Sequence, residues 1–409
     1  AVAWNIARES FLEDNPVISG LKLRASYGET GSQAVDAYST IAQVSTGAAY
    51  FFDGIAGTTT TGLGTAVSKK LVWEHARQVD AGLDLVLWNG KFTFTADYYN
   101  KDVNDLLFNY SAPLYMGGGE YKRNMGKLNN RGLELSLGGV PVSNKDFSWN
   151  TFLTVSFNRN KVIDLMGEDD LPASGVGGFG AEVGRLRVGD ALGNFYGYTF
   201  LGAWQSNEAE EAAKYGMKPG DAKYFDRNSD YAYTPEDREV IGNGTPDATY
   251  GFINDFRYKD FTLSVMFQGM AGNDIFSQTL GTMWGGHGMA RNATIKGALD
   301  VWTAEHPTDI PVLGGKSANF FNSSRFVYDG SFVKLKNLSL AYNIPKKLLS
   351  KLCIDNLEVY VSGQNLFTFT SFPGYDPETT SATGAQTQGI EMGVIPNPRT
   401  YTVGLRIGF

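Results

Sequence analysis

Val79-Asp80-Ala81-Gly82-Leu83-Asp84-Leu85-Val86-Leu87-Trp88-Asn89-Gly90-Lys91-Phe92-Thr93-Phe94-Thr95-Ala96-Asp97-Tyr98 decides the fold class. Val79, Ala81, Leu83, Leu85 and Leu87 share one face of an extended segment, with Asp80 and Asp84 on the other. Phe92, Phe94, Ala96 and Tyr98 likewise oppose Thr93, Thr95 and Asp97. Period-2 alternation is the signature of a strand with two unlike faces. Asn89-Gly90 supplies the left-handed backbone of a tight hairpin turn. The stretch reads as two antiparallel strands, apolar on one side and polar on the other.

The pattern recurs along the chain. Leu21, Leu23, Ala25 and Tyr27 alternate with Lys22, Arg24 and Ser26. Phe261, Leu263, Val265 and Phe267 oppose Thr262, Ser264 and Gln268. Tyr401, Val403, Leu405, Ile407 and Phe409 oppose Thr402, Gly404, Arg406 and Gly408. Alternation and turn signals predict strands near 21–28, 78–88, 91–101, 123–139, 147–158, 181–188, 194–204, 249–258, 261–270, 331–342, 356–369 and 399–409, with residues 1–7 ending one more. Short helices are expected at Asn207–Tyr215 and Pro345–Cys353.

Connection lengths alternate. Short ones fall at 89–90, 140–146, 189–193, 259–260 and 343–355. Long ones fall at about 29–77, 102–122, 159–180, 205–248, 271–330 and 370–398. Short turns at one end and long loops at the other are the asymmetry of outer-membrane β-barrels. Structureless loops of such length count against a soluble sandwich. The count is 12–13 strands. An odd number cannot close an antiparallel barrel, and an open edge in lipid leaves backbone groups unpaired. Further strands are therefore expected from elsewhere.

Composition agrees. The 409 residues include 49 glycines and 13% aromatics, and only 19% are charged. No apolar run reaches the roughly 18 residues of a spanning helix, a test that β-barrels evade. A net charge of −8 argues against a nucleic-acid partner. The single cysteine, Cys353, excludes a disulfide framework. Tyr98, Tyr99, Trp88, Trp149, Tyr196, Tyr198 and Trp204 lie near predicted strand ends, where an interfacial aromatic girdle sits. Asp80, Asp84, Asp97, Glu134, Gln268 and Arg406 are expected to face the barrel interior.

Enzyme chemistry finds no support. No Gly-x-Ser-x-Gly elbow is present. His75, His287 and His306 lack metal-ligand spacing. Gly117-Gly-Gly119 and Gly285-Gly286 do not follow a strand-to-helix pattern that cradles phosphate. The sharpest local motif runs from Asp226 to Asp237 and approaches a calcium loop. Oxygen ligands would come from Asp226, Asn228, Asp230, the Ala232 carbonyl and Asp237, with Tyr231 where a turn glycine is usual. Such a site would hold Ca2+ or Mg2+ to order the loop; no cofactor is otherwise required. Trp204, Trp284, Tyr115 and Tyr121 are loop aromatics able to stack on a substrate or meet a lid partner.

Several stretches resemble one family, the SusC/RagA-type TonB-dependent outer-membrane transporters. They are Leu21-Lys-Leu-Arg-Ala-Ser-Tyr-Gly28, Leu71-Val-Trp-Glu74, Asp97-Tyr-Tyr-Asn100, Asp105-Leu-Leu107, Asn129-Asn-Arg-Gly-Leu-Glu134 and Pro219-Gly-Asp-Ala-Lys-Tyr224. Asp237-Arg238, Arg325-Phe-Val-Tyr-Asp-Gly-Ser331, Leu335-Lys-Asn-Leu338, Gly363-Gln-Asn-Leu366 and Gly374-Tyr-Asp-Pro377 follow in order. The resemblance implies a barrel of about 22 strands with an N-terminal plug domain, energised by TonB. It implies residues 1–409 are the C-terminal part of that barrel, with the plug and first strands on a separate N-terminal portion that stays bound. It further implies a Bacteroidetes-type outer-membrane location, a SusD-like surface lipoprotein as lid, and oligosaccharide or peptide as cargo. A passive pore or a surface adhesin is the alternative reading.

Overall fold

The computed structural model describes residues 1–33, 40–41, 44–49, 59–63, 68, 71–111, 120–172, 177–178, 181–285, 300–312, 317–349, 354–381, 384 and 387–409. Its main element is an eleven-stranded antiparallel sheet. The strands are β1 (Val2–Asn5), β2 (Ile18–Ser32), β3 (Glu74–Leu87), β4 (Phe92–Asn104), β5 (Lys127–Ser143) and β6 (Phe147–Asp164). They continue as β7 (Ala248–Tyr258), β8 (Phe261–Ala271), β9 (Phe332–Asn343), β10 (Asn356–Thr370) and β11 (Thr400–Gly408). Each strand pairs with its neighbours in chain order, so the sheet is a pure meander.

Register carries the alternation from strand to strand. Trp4 pairs with Leu23, Leu23 with Leu83, Leu83 with Ala96 and Ala96 with Leu135. On the far half, Leu153 faces Phe252, Phe252 faces Phe267, Phe267 faces Leu335 and Leu335 faces Phe367. Val361 then pairs with Val403. One face of the whole sheet is thus apolar, and many of its side chains are exposed, including Leu23, Tyr98, Leu137, Phe157, Phe252, Leu340, Val361 and Phe367. Such an expanse is unfavourable against water and suits lipid. The opposite face is polar. It carries Arg24, Asp80, Asp84, Asp97, Glu134, Gln268 and Arg406, as the alternation predicts.

Two expected wall strands lie elsewhere. Residues 181–188 and 194–204 sit between β6 and β7, in short ribbons outside the sheet. Arg185–Arg187 pairs with Asp170–Pro172, Asn194–Gly197 with Glu239–Asn243, and Phe200–Ala203 with Ala222–Tyr224. Pairing explains the difference: β6 bonds directly to β7 along Phe147–Ser156, so no edge is left between them for these segments to join. The wall therefore has eleven strands rather than 12–13. The parity argument survives, because both errors fall in one connection. β1 and β11 run the same way, so these edges cannot join as antiparallel neighbours.

All long connections leave one end of the sheet, at 33–73, 105–126, 165–247, 272–331 and 371–399, and short ones leave the other. Far from being structureless, the described loops build small cores. Val183, Phe195, Phe276, Phe326 and Ile390 form one, Tyr198, Ala222 and Tyr224 a second, and Ile275, Leu280 and Phe372 a third. Leu128, Val162, Leu165, Leu186 and Leu192 seal the loop region onto the strand ends. The helix expected at 207–215 is Ala209–Lys214, preceded by a 3-10 turn at Ser206–Glu208. That expected at 345–353 appears as Lys346–Leu349, and Cys353 lies outside the described residues.

The Asn89-Gly90 turn is as expected, with Trp88, Asn89 and Gly90 all at positive φ (48°, 56° and 87°). Trp88 and Phe92 pack edge to face, Trp149 stacks on Phe256, and Phe261 packs on Tyr342, so aromatics line the short-turn end. Tyr98 joins the apolar face, whereas Tyr99 lies over Gly132 on the polar one. A Cβ on Gly132 would come within 2.5 Å of the Tyr99 hydroxyl, so glycine is required there by close approach. Tyr196, Tyr198 and Trp204 belong to the loop region and not to a girdle, because the ribbons carrying them leave the wall.

The face assignment predicts opposite outcomes for adjacent residues. Leu338→Arg, on the apolar face, is expected to destabilise by about 2–4 kcal/mol in a bilayer. Ser339→Arg, on the polar face, is expected to stay within about 1 kcal/mol. Denaturant unfolding of the membrane-inserted protein, followed by its heat-modifiable gel mobility, measures both.

Candidate functional site

The polar face and the loops folded above it form the candidate site. Near the first strands, Arg24 donates from Nε to Asp84 Oδ2 at 2.8 Å and from Nη2 to Asp84 Oδ1 at 3.0 Å. The same Nη2 lies 2.9 Å from Asp97 Oδ1. Ser26 donates to Asp80 at 2.9 Å, and Asn129 donates to Asn100 and Asp102 at 2.7 Å each. These groups are about one-third exposed, so each pair is worth little, roughly 0–1 kcal/mol. They order the wall and keep it wettable.

A tighter cluster lies on β9. Lys334 is 1% exposed, yet its Nζ meets Asp376 Oδ1 at 2.9 Å, Asp376 Oδ2 at 3.1 Å and Glu378 Oε2 at 2.6 Å. Lys336 Nζ lies 2.6 Å from Glu378 Oε1. Against β8, a register shift between Leu335 and Asn337 inserts Lys336 as an extra residue. Lys334 and Lys336, two residues apart on the strand, reach the same carboxylate. Asn397 completes the cluster, with its backbone N–H 3.1 Å from Asp376 Oδ2 and its side-chain amide 3.0 Å from Glu378 Oε2. Burial pushes both carboxyls up. The lysines and amides more than offset it, holding Asp376 and Glu378 below the usual carboxylate range. The loop between β10 and β11 is thereby strapped to the polar wall.

The loops between β6 and β7 and between β8 and β9 are joined by aromatics and buried polar bonds. Tyr198 stacks on Phe321 at 4.8 Å between ring centroids, and Tyr224 donates to the Ala318 carbonyl at 2.8 Å. Asp221 is fully buried, accepting from Asn319 Nδ2 at 3.1 Å and from the Lys218 N–H at 3.0 Å. Burial pushes the Tyr224 phenol up, and burial likewise moves Tyr328 to about 12. Both stay neutral donors at any physiological pH. Trp204 is 3% exposed beneath Lys223, whose Nζ lies 4.5 Å from its ring, so it offers no open stacking platform. The side chains of Trp284, Tyr115 and Tyr121 lie outside the described residues.

The calcium-like loop turns its oxygens inward. Asp226 accepts from the Ser229 and Tyr231 N–H groups at 2.7 and 3.0 Å and from Tyr215 Oη at 3.1 Å. Asn228 accepts from the Asp230 N–H at 3.2 Å, and Asp230 from the Ala232 N–H at 2.8 Å. Asp237, 1% exposed, accepts from Arg227 and Thr234 N–H groups at 3.0 and 2.8 Å. Tyr231 adopts φ 61°, the left-handed backbone that the usual glycine would supply. Among the described residues no group of three or more His, Cys, Asp or Glu side chains is arranged to hold a metal ion. His75 is exposed on β3, His306 is exposed in a loop, and His287 lies outside the described residues.

Several stretches singled out in the sequence turn out to touch. Glu74 accepts from the Leu107 N–H at 2.8 Å, tying 71–74 to 105–107. Residues 219–224 hold 318–319 through Asp221, Ala222 and Tyr224. Lys334 and Lys336 hold Asp376 and Glu378. Alternation could find the wall residues, but nothing local announces a partner 42 residues away.

Comparison with known proteins agrees with this architecture. The family model described as TonB dependent receptor-like, beta-barrel matches residues 2–366. TonB-dependent receptor P3 of Formosa agariphila is 37% identical over 420 residues, covering 100% of this chain and 41% of its own length. TonB-dependent receptor SusC of Bacteroides thetaiotaomicron is 26% identical over 429 residues, covering 100% of this chain and 39% of its own. In fold, the chain is similar to a structure of the RagAB peptide transporter, with a TM-score of 0.82 at 23% identity, over 100% of this chain and 43% of that one. The chain thus spans about two-fifths of the length of these relatives.

Lys334→Met is expected to destabilise by about 3–5 kcal/mol, since it leaves the buried Asp376 carboxylate without its cation and Glu378 with Lys336 alone. Amide exchange should rise first across 371–381 and 387–399. Acid should act in the same direction. Carboxyls held low in the folded protein stabilise it above their unfolded values, about 3.9 for Asp and 4.3 for Glu. That contribution is lost as pH falls through the lower folded values. Exchange in this strap should therefore accelerate below about pH 4, before the wall itself opens.

Proposed function

Because this chain belongs to the TonB-dependent receptor-like β-barrel family, an outer-membrane family of receptors and transporters rather than enzymes, we propose that it is the transport wall of an active importer. The cargo is a nutrient too large for a porin, an oligosaccharide or a peptide. One observation carries the reading: a single sheet with a lipid-suited outer face and a polar inner face, roofed at one end by loops with cores of their own. The apolar face holds the wall in the bilayer. The polar face lines the route and offers alternating charges in place of water. The roofed end is the extracellular one, where cargo arrives.

Two further parts follow from the edges and the roof. β1 and β11 need an odd number of further strands between them to close in lipid. The remainder of the polypeptide would supply these strands together with a plug, through which TonB delivers energy. A SusD-like surface lipoprotein would cover the loops as a lid, trapping cargo before the plug is disturbed. The names of SusC and of the RagAB transporter support this partnership, since the chain matches the first in sequence and a structure of the second in fold.

Deletion of the gene is expected to abolish growth on a high-molecular-weight oligosaccharide or peptide source while sparing growth on its monomers. Loss of TonB should reproduce the defect. Uptake that persists without TonB would instead make the barrel a passive pore. Purification in mild detergent should bring down the plug-bearing portion and a lipoprotein, identified by mass spectrometry.

A further inference from the structure

The lipid-facing side of the wall changes character at its long-loop end on β5 and β6. On β6, Leu153, Val155 and Phe157 lie on that face, and Arg159 and Lys161 continue it. On β5, Leu137, Leu135 and Leu133 lead in the same way to Arg131. Register puts Arg131 directly opposite Arg159, and Asn129 opposite Lys161. Depth follows from length. Trp149 marks the short-turn end of β6, and Arg159 lies about 34 Å of strand beyond it, or about 26 Å of height at a tilt of about 40°. An apolar barrel band is about 25 Å tall, so the cations stand at its extracellular rim.

Like charges facing each other across a strand pair cost stability. Local partners do little to relieve them. Arg159 lies 3.7 Å from Asp247, but both side chains are more than two-thirds exposed or close to it, and such pairs contribute little. Asp102, opposite Asn129 on β4, accepts from that amide at 2.7 Å. Arg131 and Lys161 are exposed and, among the described residues, make no hydrogen bond or ion pair. Toward the bilayer centre the same face is hollow. Ala25, Ala81 and Ala96 form the floor, and Leu83, Tyr98 and Leu133 the walls. Ala25 pairs with Ala81, Leu83 with Ala96 and Tyr98 with Leu133, so the hollow crosses β2 to β5. Its volume is about 540 Å³. Leu133 stands two residues from Arg131 on the same face, so the cations and the hollow adjoin.

We propose that this part of the wall binds a phosphorylated lipid of the outer leaflet. Its phosphate sits on Arg131, Arg159 and Lys161, and one acyl chain fills the hollow beneath. Guanidinium forks match phosphate oxygens in shape and charge. A phosphate between Arg131 and Arg159 replaces their repulsion with two attractions. The order of the parts is that of a lipid: cations at the headgroup level, an apolar hollow on the tail side. A soluble anion would leave the hollow unfilled. The site rests on the membrane location of the wall and not on the import reading.

Native mass spectrometry of the full-length protein in detergent tests this. The probes are lipid A, dephosphorylated lipid A and inorganic phosphate. One lipid A per barrel should be retained, and the dephosphorylated lipid about tenfold more weakly. Arg131→Gln and Arg159→Gln should each weaken retention of lipid A about tenfold. Ala81→Leu, which fills the hollow without touching a charge, should weaken it as well. Arg257→Gln, exposed near the short turns, should leave it unchanged. Equal retention of the two lipids, displacement of lipid A by an equal concentration of inorganic phosphate, or no effect of the arginine variants would overturn the assignment. So would a doubled protein mass that the variants abolish, which would make this face an interface between copies of the chain. Unchanged heat-modifiable mobility verifies the fold of each variant.

Discussion

The hydrocarbon interior of a bilayer offers no hydrogen-bond partner to a peptide group. Every N–H and C=O at that depth must be paired within protein. This constraint shapes the eleven-stranded sheet more than any side-chain contact does. It demands long strands, so β6 runs from Phe147 to Asp164 and β10 from Asn356 to Thr370. It demands neighbours on both sides of every strand, so the chain meanders without a crossover. It also places the burden of specificity on the faces. Leu, Phe and Val turn outward to lipid, while Arg24, Asp84 and Asp97 turn to the polar side, where water can meet them.

Above the membrane the rule reverses. Water satisfies exposed backbone there, so the loops are free to pack by ordinary hydrophobic burial. They do so as short ribbons and aromatic clusters around Tyr198, Tyr224, Phe276 and Phe326. The buried charges Lys334 and Asp376, with the half-buried Glu378, couple the two regimes. They lie where the strap enters the polar face, and an unpaired member would be expensive in that low-dielectric setting. The strap is held further by Ile390 and Phe372, which enter the cores of neighbouring loops.

The wall was legible from alternation because the pleat has period two and is local. Its strands were found near their true places, as were the turn at Asn89-Gly90 and the inner residues Asp80, Asp84, Asp97, Glu134, Gln268 and Arg406. Alternation does not measure depth. Leu186 between Arg185 and Arg187, or Phe195 beside Tyr196, looks like a wall segment, but its neighbours are ribbons of three or four residues. The stretch from Asp226 to Asp237 shows what spacing alone leaves open. Asp226, Asn228, Asp230 and Asp237 have the right spacing, yet they cap backbone amides in this structure, a use for which short carboxylates and amides are equally suited.

The sequence by itself determined that this chain is a sheet with one apolar and one polar face and long loops at one end. Those properties depend on residues a few positions apart, where side-chain direction follows from backbone geometry. Only the tertiary structure decided which extended segments join the wall, which loops share a core, and that Lys334 meets Asp376 or that Arg131 faces Arg159. Such contacts join residues tens of positions apart through register and loop packing, and no local period encodes the distance between them.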